Sequence, residues 1–327
     1  MYWLRLLMSF VTVLIHCYVI SEERPGLTGY LSCVIKMNML VTFFFSTGFF
    51  GFREMDLVAN PSDRIRALKR LKKIISQYSI WFVLYLPLAV YGEIVIFGSS
   101  GLRAIAKIGK TYLLFGSHYY SWQLWFMHGL VVAVALMLLC MRRGLPAGRI
   151  MGLGAFFFVA GRFLPILQRN GNPLAEAYFL IFTSNRNGLL LGWFIVAYGY
   201  WAYKREREPG IGLLLAVLFG SLTMGLFLPD SDWYEFIGVV SGLALVELVL
   251  QIPLKESRAG ALANELSKVS YFVHMLFVAL FELVLRKGAP KPELMTSLGV
   301  FIGTYALSFL LVRWKQQKSG RWLYKLF

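Results

Sequence analysis

The chain has 327 residues, of which 58% are hydrophobic and only 15% are charged, and its mean hydropathy is +0.62. Because soluble domains carry about 25% charged residues, this composition excludes an ordinary soluble protein and indicates an integral membrane protein. The net charge of +16 does not indicate nucleic-acid binding, since the basic residues are concentrated in the short segments between apolar stretches.

Ten apolar segments are predicted to cross the membrane. About 20 apolar residues span the hydrocarbon core as a helix, and backbone groups in lipid must form their hydrogen bonds internally. The predicted spans are 3–20, 31–52, 74–97, 123–141, 150–167, 188–203, 211–228, 234–253, 266–285 and 294–313. We therefore predict an all-α, polytopic helical bundle that forms a single transmembrane domain over 1–327, without an appended soluble domain.

The distribution of lysine and arginine predicts the orientation of these spans. With the N-terminus in the cytoplasm, 22 of the 33 basic residues lie on the cytoplasmic side and nine lie outside. An even number of spans places both termini in the cytoplasm, and we expect a multi-pass protein of the inner (cytoplasmic) membrane. The basic run "RIRALKRLKKI" at 64–74 is expected to lie against anionic lipid headgroups.

The first predicted span carries two ionisable residues, Arg5 and His16. Eleven residues correspond to about three helical turns, so both side chains lie on one face, roughly 16 Å apart along the axis. Ionisable residues within spans usually face the bundle interior or a wet cavity. A structural alternative is that Arg5 is a cytoplasmic anchor and His16 a hydrogen-bonded core histidine.

The spacing Arg5-x10-His16 resembles the signature of the membrane-bound acyltransferase-3 family, which acylates extracytoplasmic glycans and some small molecules. Further segments resemble the family in the same order along the chain. They are "FFFSTGFF" at 43–50, "LKRLKKI" at 68–74, "WQLWFMHGL" at 122–130, "NRNGLLLGWFIVAYGY" at 185–200 and "SKVSYFVH" at 267–274. The resemblance covers nearly the whole chain and implies a stand-alone acyltransferase domain.

The resemblance and the predicted topology together suggest a donor site and an acceptor site. Acetyl-CoA, the expected donor, is polyanionic and cytoplasmic, so basic residues at the inner mouth suit its phosphates. The predicted donor-binding residues are Arg5, Arg70, Lys73, Ser267, Tyr271 and His274. The predicted acceptor-binding residues are Arg162, Arg186 and His128. His128 and His274 have structural alternatives as interhelical hydrogen-bonding groups, and Arg162 as a partner of Glu93 or Glu282.

Acyl transfer to a hydroxyl requires a base, and the pKa of histidine suits this role. We therefore predict that His16 is the catalytic base. A thioester donor is already activated, so no covalent serine is required, and the chain has no G-x-S-x-G motif. The four histidines lack metal-ligand spacing, so we expect neither a metal nor a permanently bound cofactor.

The expected partners are acyl-CoA, a glycan or lipid-linked glycan acceptor, and membrane lipids. Two other functions fit a ten-span protein. A transporter or lipid-linked glycan flippase would often show inverted repeats, which the sequence does not show. A polysaccharide polymerase or glycosyltransferase would more often carry acidic residues in its outer loops. Dependence on an acyl-CoA donor distinguishes the acyltransferase from both.

Overall fold

The computed structural model describes residues 1–17, 19, 26–182, 188–224, 227, 233–253, 257–285 and 294–327. This part of the chain contains twelve α-helices and no strand. They are α1 (Tyr2–His16), α2 (Gly26–Gly51), α3 (Pro61–Tyr91), α4 (Gly101–Leu114), α5 (Leu124–Arg142), α6 (Ala147–Arg169), α7 (Pro173–Phe182), α8 (Gly188–Lys204), α9 (Ile211–Met224), α10 (Tyr234–Leu250), α11 (Arg258–Leu280) and α12 (Leu294–Lys315). Each of the ten predicted spans overlaps one of them.

Six helical segments are long and apolar enough to cross a membrane. They are Gly26–Gly51, Pro61–Ile96, Leu124–Arg142, Ala147–Arg169, Arg258–Leu283 and Ser297–Lys315. Helices α1 and α9 are shorter apolar helices of 15 and 14 residues. The all-α membrane architecture is thus confirmed, whereas ten spans and two cytoplasmic termini stay predictions.

The helices differ from the predicted spans in two respects. Helix α3 begins at Pro61, because the Asn60 side chain accepts a hydrogen bond from the Ser62 backbone at 3.0 Å and proline suits the first helical position. The basic run 64–74 is therefore helical and not part of a loop. Helices α4 and α7 lie between the predicted spans, because α4 mixes three basic residues with apolar ones and α7 has only ten residues.

The chain divides into two compact units. The first contains residues 1–43, 207–325 and 327, and thus α1, most of α2 and α9–α12. In this unit α11 packs against α1 and α12, and α9 packs against α10. Gly238 allows α10 to approach α2, since a Cβ there would lie 2.8 Å from the Cβ of Met37.

The second unit contains residues 44–206 and 326. Helix α8 packs against α5 and α6, and α3 packs against α5. Gly48 of α2 and Gly199 of α8 let the two helices touch through their backbones, where a side chain would collide with the facing carbonyl groups. The prediction of a single domain over 1–327 stays a prediction.

Candidate active site

His16 and His274 meet within the first unit. His16 is the last residue of α1, and His274 lies in α11, completely buried. Their ring centroids are 5.0 Å apart and the ring planes are inclined by 32°. The structure therefore brings together two histidines that are 258 positions apart, one predicted as the base and the other as a donor-binding residue.

The hydrogen bonding of His274 fixes its tautomer. Its Nδ1 lies 3.1 Å from the backbone oxygen of Ser270, and since a carbonyl can only accept, Nδ1 carries the proton. In the neutral ring Nε2 is then an unprotonated acceptor. This Nε2 is buried and has no hydrogen-bond partner among the described residues. Such an atom is suited to accept a proton or to hydrogen-bond a bound group.

Arg5 lies at the opposite end of α1. Its Nη1 donates a hydrogen bond of 2.7 Å to Oδ1 of Asn264 on α11. Its Nε is buried without a hydrogen-bond partner in the part of the chain that the structure describes. Arg5 is therefore fixed by α11 and not left to extend into solvent, as a purely topological anchor would be.

Two aromatic residues lie between the Arg5 end and the histidine pair. The Arg5 guanidinium is 5.9 Å from the ring centroid of Phe43 on α2. The Phe43 ring is 6.5 Å from Tyr271, and Tyr271 is 6.3 Å from His274. One series of neighbouring side chains thus connects the predicted donor-binding arginine to the predicted base.

Ser267 lies on the same helix as Tyr271 and His274, one turn before Tyr271. It is fully buried, and its hydroxyl donates to the backbone oxygen of Asn264 at 2.8 Å. Serine hydroxyls within helices commonly donate such a hydrogen bond to a backbone oxygen three or four residues earlier. Ser267 thus supports the turn of α11 that carries Asn264, the acceptor for Arg5.

Lys36 lies near the histidine pair but was not among the predicted site residues. It lies in α2, and its charge acts electrostatically on His16. A lysine within an otherwise apolar membrane helix has a high energetic cost, and such residues are usually functional. The position of Lys36 inside the long apolar run of α2 is the sequence feature that could have identified it as a candidate site residue.

Arg70 and Lys73 lie in the second unit, on the first half of α3. Arg70 packs against Gly51 at the end of α2, where an added Cβ would lie 2.8 Å from Nη1. This Nη1 is buried and makes no hydrogen bond to any described residue. The basic face of α3 therefore contains a partly buried guanidinium beside an exposed lysine.

Two of the predicted acceptor residues, His128 and Arg162, lie in the second unit. His128 donates from Nε2 to the backbone oxygen of Leu113 at 2.9 Å, which is the interhelical bond of the structural alternative. The Arg162 guanidinium is 5.7 Å from the Phe158 ring centroid. Arg186 lies outside the described residues. The three acceptor assignments stay predictions.

Glu93, a predicted candidate partner of Arg162, is found in a separate polar cluster. It accepts from Lys107 at 3.0 Å and lies 3.2 Å from Nε2 of His118. Burial lowers the pKa of His118, although Glu93 opposes this effect. Within the described ranges, no group of three His, Cys, Asp or Glu side chains could hold a metal ion.

Comparison with known proteins identifies the family of the chain. The family model described as "Acyltransferase domain", that of the acyltransferase-3 family, matches residues 2–313. The chain is also 22% identical over 237 residues to a serine/alanine racemase of Enterococcus gallinarum. This aligned region covers 71% of this chain and 33% of that protein. The chain spans about a third of that relative's length, and no solved structure matches. The chain therefore belongs to the acyltransferase-3 family, and its apolar helices are those of a multi-pass membrane protein.

Proposed function

We propose that the protein is an acyltransferase of the inner membrane. It transfers an acyl group, with acetyl as the first candidate, from cytoplasmic acyl-CoA to a hydroxyl of an extracytoplasmic glycan or cell-envelope acceptor. The observation that carries the proposal is the pair of His16 and His274, whose rings are 5.0 Å apart. Family membership supports acyl transfer, and this pair supplies the group that such a transfer requires.

In this proposal His16 acts as the general base. It removes the proton of the acceptor hydroxyl as the oxygen attacks the thioester carbonyl. The tetrahedral intermediate then collapses, the carbon–sulfur bond breaks, and the imidazolium returns the proton to the departing thiolate. The products are an ester and free CoA, and no covalent enzyme intermediate is needed.

His274 supports the proton transfer in this scheme. Its ring centroid lies 5.0 Å from that of His16, Nδ1–H donates to the Ser270 backbone oxygen, and Nε2 is a buried, unprotonated acceptor. A fixed ring loses little freedom when a substrate binds, so its lone pair is preorganised toward the reacting groups. Lys36, whose charge acts on His16, favours the negative oxygen that develops on the thioester carbonyl.

Arg5 orients the donor in the same scheme. Eleven residues along α1 separate it from His16 by roughly 16 Å, which an extended pantetheine arm can cover. A donor whose charged head contacts Arg5 would pass Phe43 and Tyr271 and present its thioester to the histidines. The acceptor approaches from the other side of the membrane.

The test uses purified protein in nanodiscs, supplied with acetyl-CoA and an envelope glycan fraction. We expect release of CoA thiol together with acetyl groups on the glycan that mild alkali removes, as it does esters. Absence of donor-dependent transfer in nanodiscs, alongside transport of an unmodified glycan into proteoliposomes, would assign the protein to the transporter class.

A further inference from the structure

A charged cluster that the mechanism above does not use lies at the Arg5 end of the first unit. Glu265 of α11 bonds two lysines, with Oε1 2.6 Å from Nζ of Lys268 and Oε2 2.6 Å from Nζ of Lys315. Glu265 directly follows Asn264, the residue that holds Arg5. We propose that Lys268 binds a phosphate group of the donor's nucleotide, an inference that rests on the proposed function.

The two lysines differ in their access to solvent. The side chain of Lys315 is only 6% exposed, and its ammonium lies 4.4 Å from the ring centroid of Tyr324 in the 3₁₀ helix Lys318–Lys325. The side chain of Lys268 is 34% exposed. Lys315 is thus a fixed internal countercharge for Glu265, whereas Lys268 can turn toward a ligand.

The cluster has an excess of positive charge that a phosphate would balance. Arg5, Lys268 and Lys315 carry three positive charges, and Glu265 supplies one negative charge. An ion pair between partly exposed side chains is weak, so Lys268 can exchange Glu265 for a phosphate at little cost. Glu265 keeps its bond to Lys315 after this exchange, so no carboxylate is left without a countercharge.

The position of Lys268 also suits the length of the donor. Asn264 and Lys268 are four residues apart, so Lys268 lies on the face of α11 that contacts Arg5. Helical side chains point toward the N-terminus, which places the ammonium at the level of Glu265, as their 2.6 Å contact requires. Nine residues separate Glu265 from His274, a rise of roughly 13 Å along α11, so the pantetheine arm would lie between the phosphate and the histidine pair.

The experiment compares two thioesters that share the pantetheine arm but differ in phosphate. Acetyl-CoA and S-acetyl-pantetheine are titrated against the wild type, Lys268→Gln, Lys268→Arg and Lys318→Gln in nanodiscs of uncharged lipid. Lys318 is an exposed lysine of the same unit and controls for a general loss of positive charge. Melting temperature and gel filtration monitor folding, and Lys268→Arg keeps the test valid if the glutamine variant unfolds.

We expect Lys268→Gln to bind acetyl-CoA about 10- to 100-fold more weakly, as for one lost charge-assisted contact, and S-acetyl-pantetheine unchanged. Lys268→Arg should retain most of the affinity, and Lys318→Gln all of it. An equal loss of affinity for both thioesters would overturn the assignment to the donor. So would a variant that binds acetyl-CoA normally and only retains less of the added phosphatidylglycerol. If the wild type does not prefer acetyl-CoA over S-acetyl-pantetheine, the proposed donor itself is wrong, and the two failures are thereby distinguished.

Discussion

The imidazole rings of His16 and His274 lie with their centroids 5.0 Å apart, although the residues belong to the first and the eleventh helix of the chain. The packing of α11 against α1 creates this pair. The same packing places Asn264 against Arg5, at the other end of α1. One helix–helix contact therefore arranges both the proposed base and the proposed donor-binding arginine.

Replacing His16 tests the proposed base directly. His16→Ala should leave the amount of folded protein near normal and reduce acyl transfer by about 10²- to 10⁴-fold, the usual effect of losing a proton-transfer group. The measurement is acetyl-CoA-dependent transfer with binding of acetyl-CoA determined in parallel. His118→Gln is the control, since glutamine can still donate to Glu93. Transfer by His16→Ala at the wild-type rate would return His16 to a structural role.

His274 can be tested by separating its two ring nitrogens. Asparagine can replace the Nδ1–H that donates to Ser270 but provides nothing at the position of Nε2, whereas glutamine reaches toward Nε2. We expect His274→Asn to keep the melting temperature and to reduce transfer by about 10²-fold or more, the usual effect of losing a group that takes part in proton transfer. If His274→Asn transfers acyl groups at the wild-type rate, the role of His274 is limited to its hydrogen bond with the Ser270 backbone oxygen.

The sequence predicted the membrane helices but not the contacts between them. Apolar length and the Arg5-x10-His16 spacing were sufficient for the membrane helices and for one face of α1. Asn264, Glu265 and Lys36 were not assigned, because an amide or a charge in a helix says nothing about which helix will pack against it. The pairing of His16 with His274 required the packing of α1 on α11, which no local pattern encodes.

Short amphipathic helices were missed for a related reason. Helix α4 has only 14 residues and mixes Arg103, Lys107 and Lys110 with apolar residues. A search for long apolar segments therefore assigns it to a polar loop. Lys107 then bonds Glu93, which the sequence analysis had considered for Arg162. Pairing of charges within a fold depends on such intervening elements and therefore could not be predicted from the spans alone.

The contact of Arg5 with Asn264 predicts that a lysine cannot replace this arginine. Arg5→Lys keeps the charge and should insert normally, but it loses the planar group that can bond Asn264 and a phosphate at the same time. We expect acetyl-CoA affinity to fall by about tenfold or more, as for a lost charge-assisted bond. Isothermal titration with acetyl-CoA measures this change. An unchanged affinity with unchanged turnover would leave Arg5 as a topological anchor.

The predicted orientation can be tested at two exposed positions in a background without the buried cysteines Cys17, Cys33 and Cys140. Ala59→Cys precedes the basic end of α3, and Ser100→Cys precedes α4. With both termini in the cytoplasm, a membrane-impermeant maleimide should label Ser100→Cys in intact cells and Ala59→Cys only after lysis. The reverse pattern would invert the donor and acceptor sides of the proposed mechanism.

The packing of Gly51 against Arg70 gives a test of the donor site in the second unit. A methyl group at Gly51 would lie 2.8 Å from Nη1 of Arg70, so Gly51→Ala should displace this guanidinium without removing it. We expect the variant to weaken acetyl-CoA binding by about 3- to 10-fold, within the range of coupling between contacting residues. Gly152→Ala on α6 is the matched control, because a Cβ there meets no atom within 4 Å.

The double variant decides whether the effect of Gly51→Ala acts through Arg70. If Arg70 binds the donor, Arg70→Ala alone should weaken acetyl-CoA binding at least as much as Gly51→Ala, and adding Gly51→Ala should cause no further loss. Contacting residues that act on one ligand group show such non-additivity, whereas independent effects on helix packing would add. Additive losses, or equal losses for acetyl-CoA and S-acetyl-pantetheine, would show that Arg70 supports the fold of α3 and does not bind the donor's phosphates.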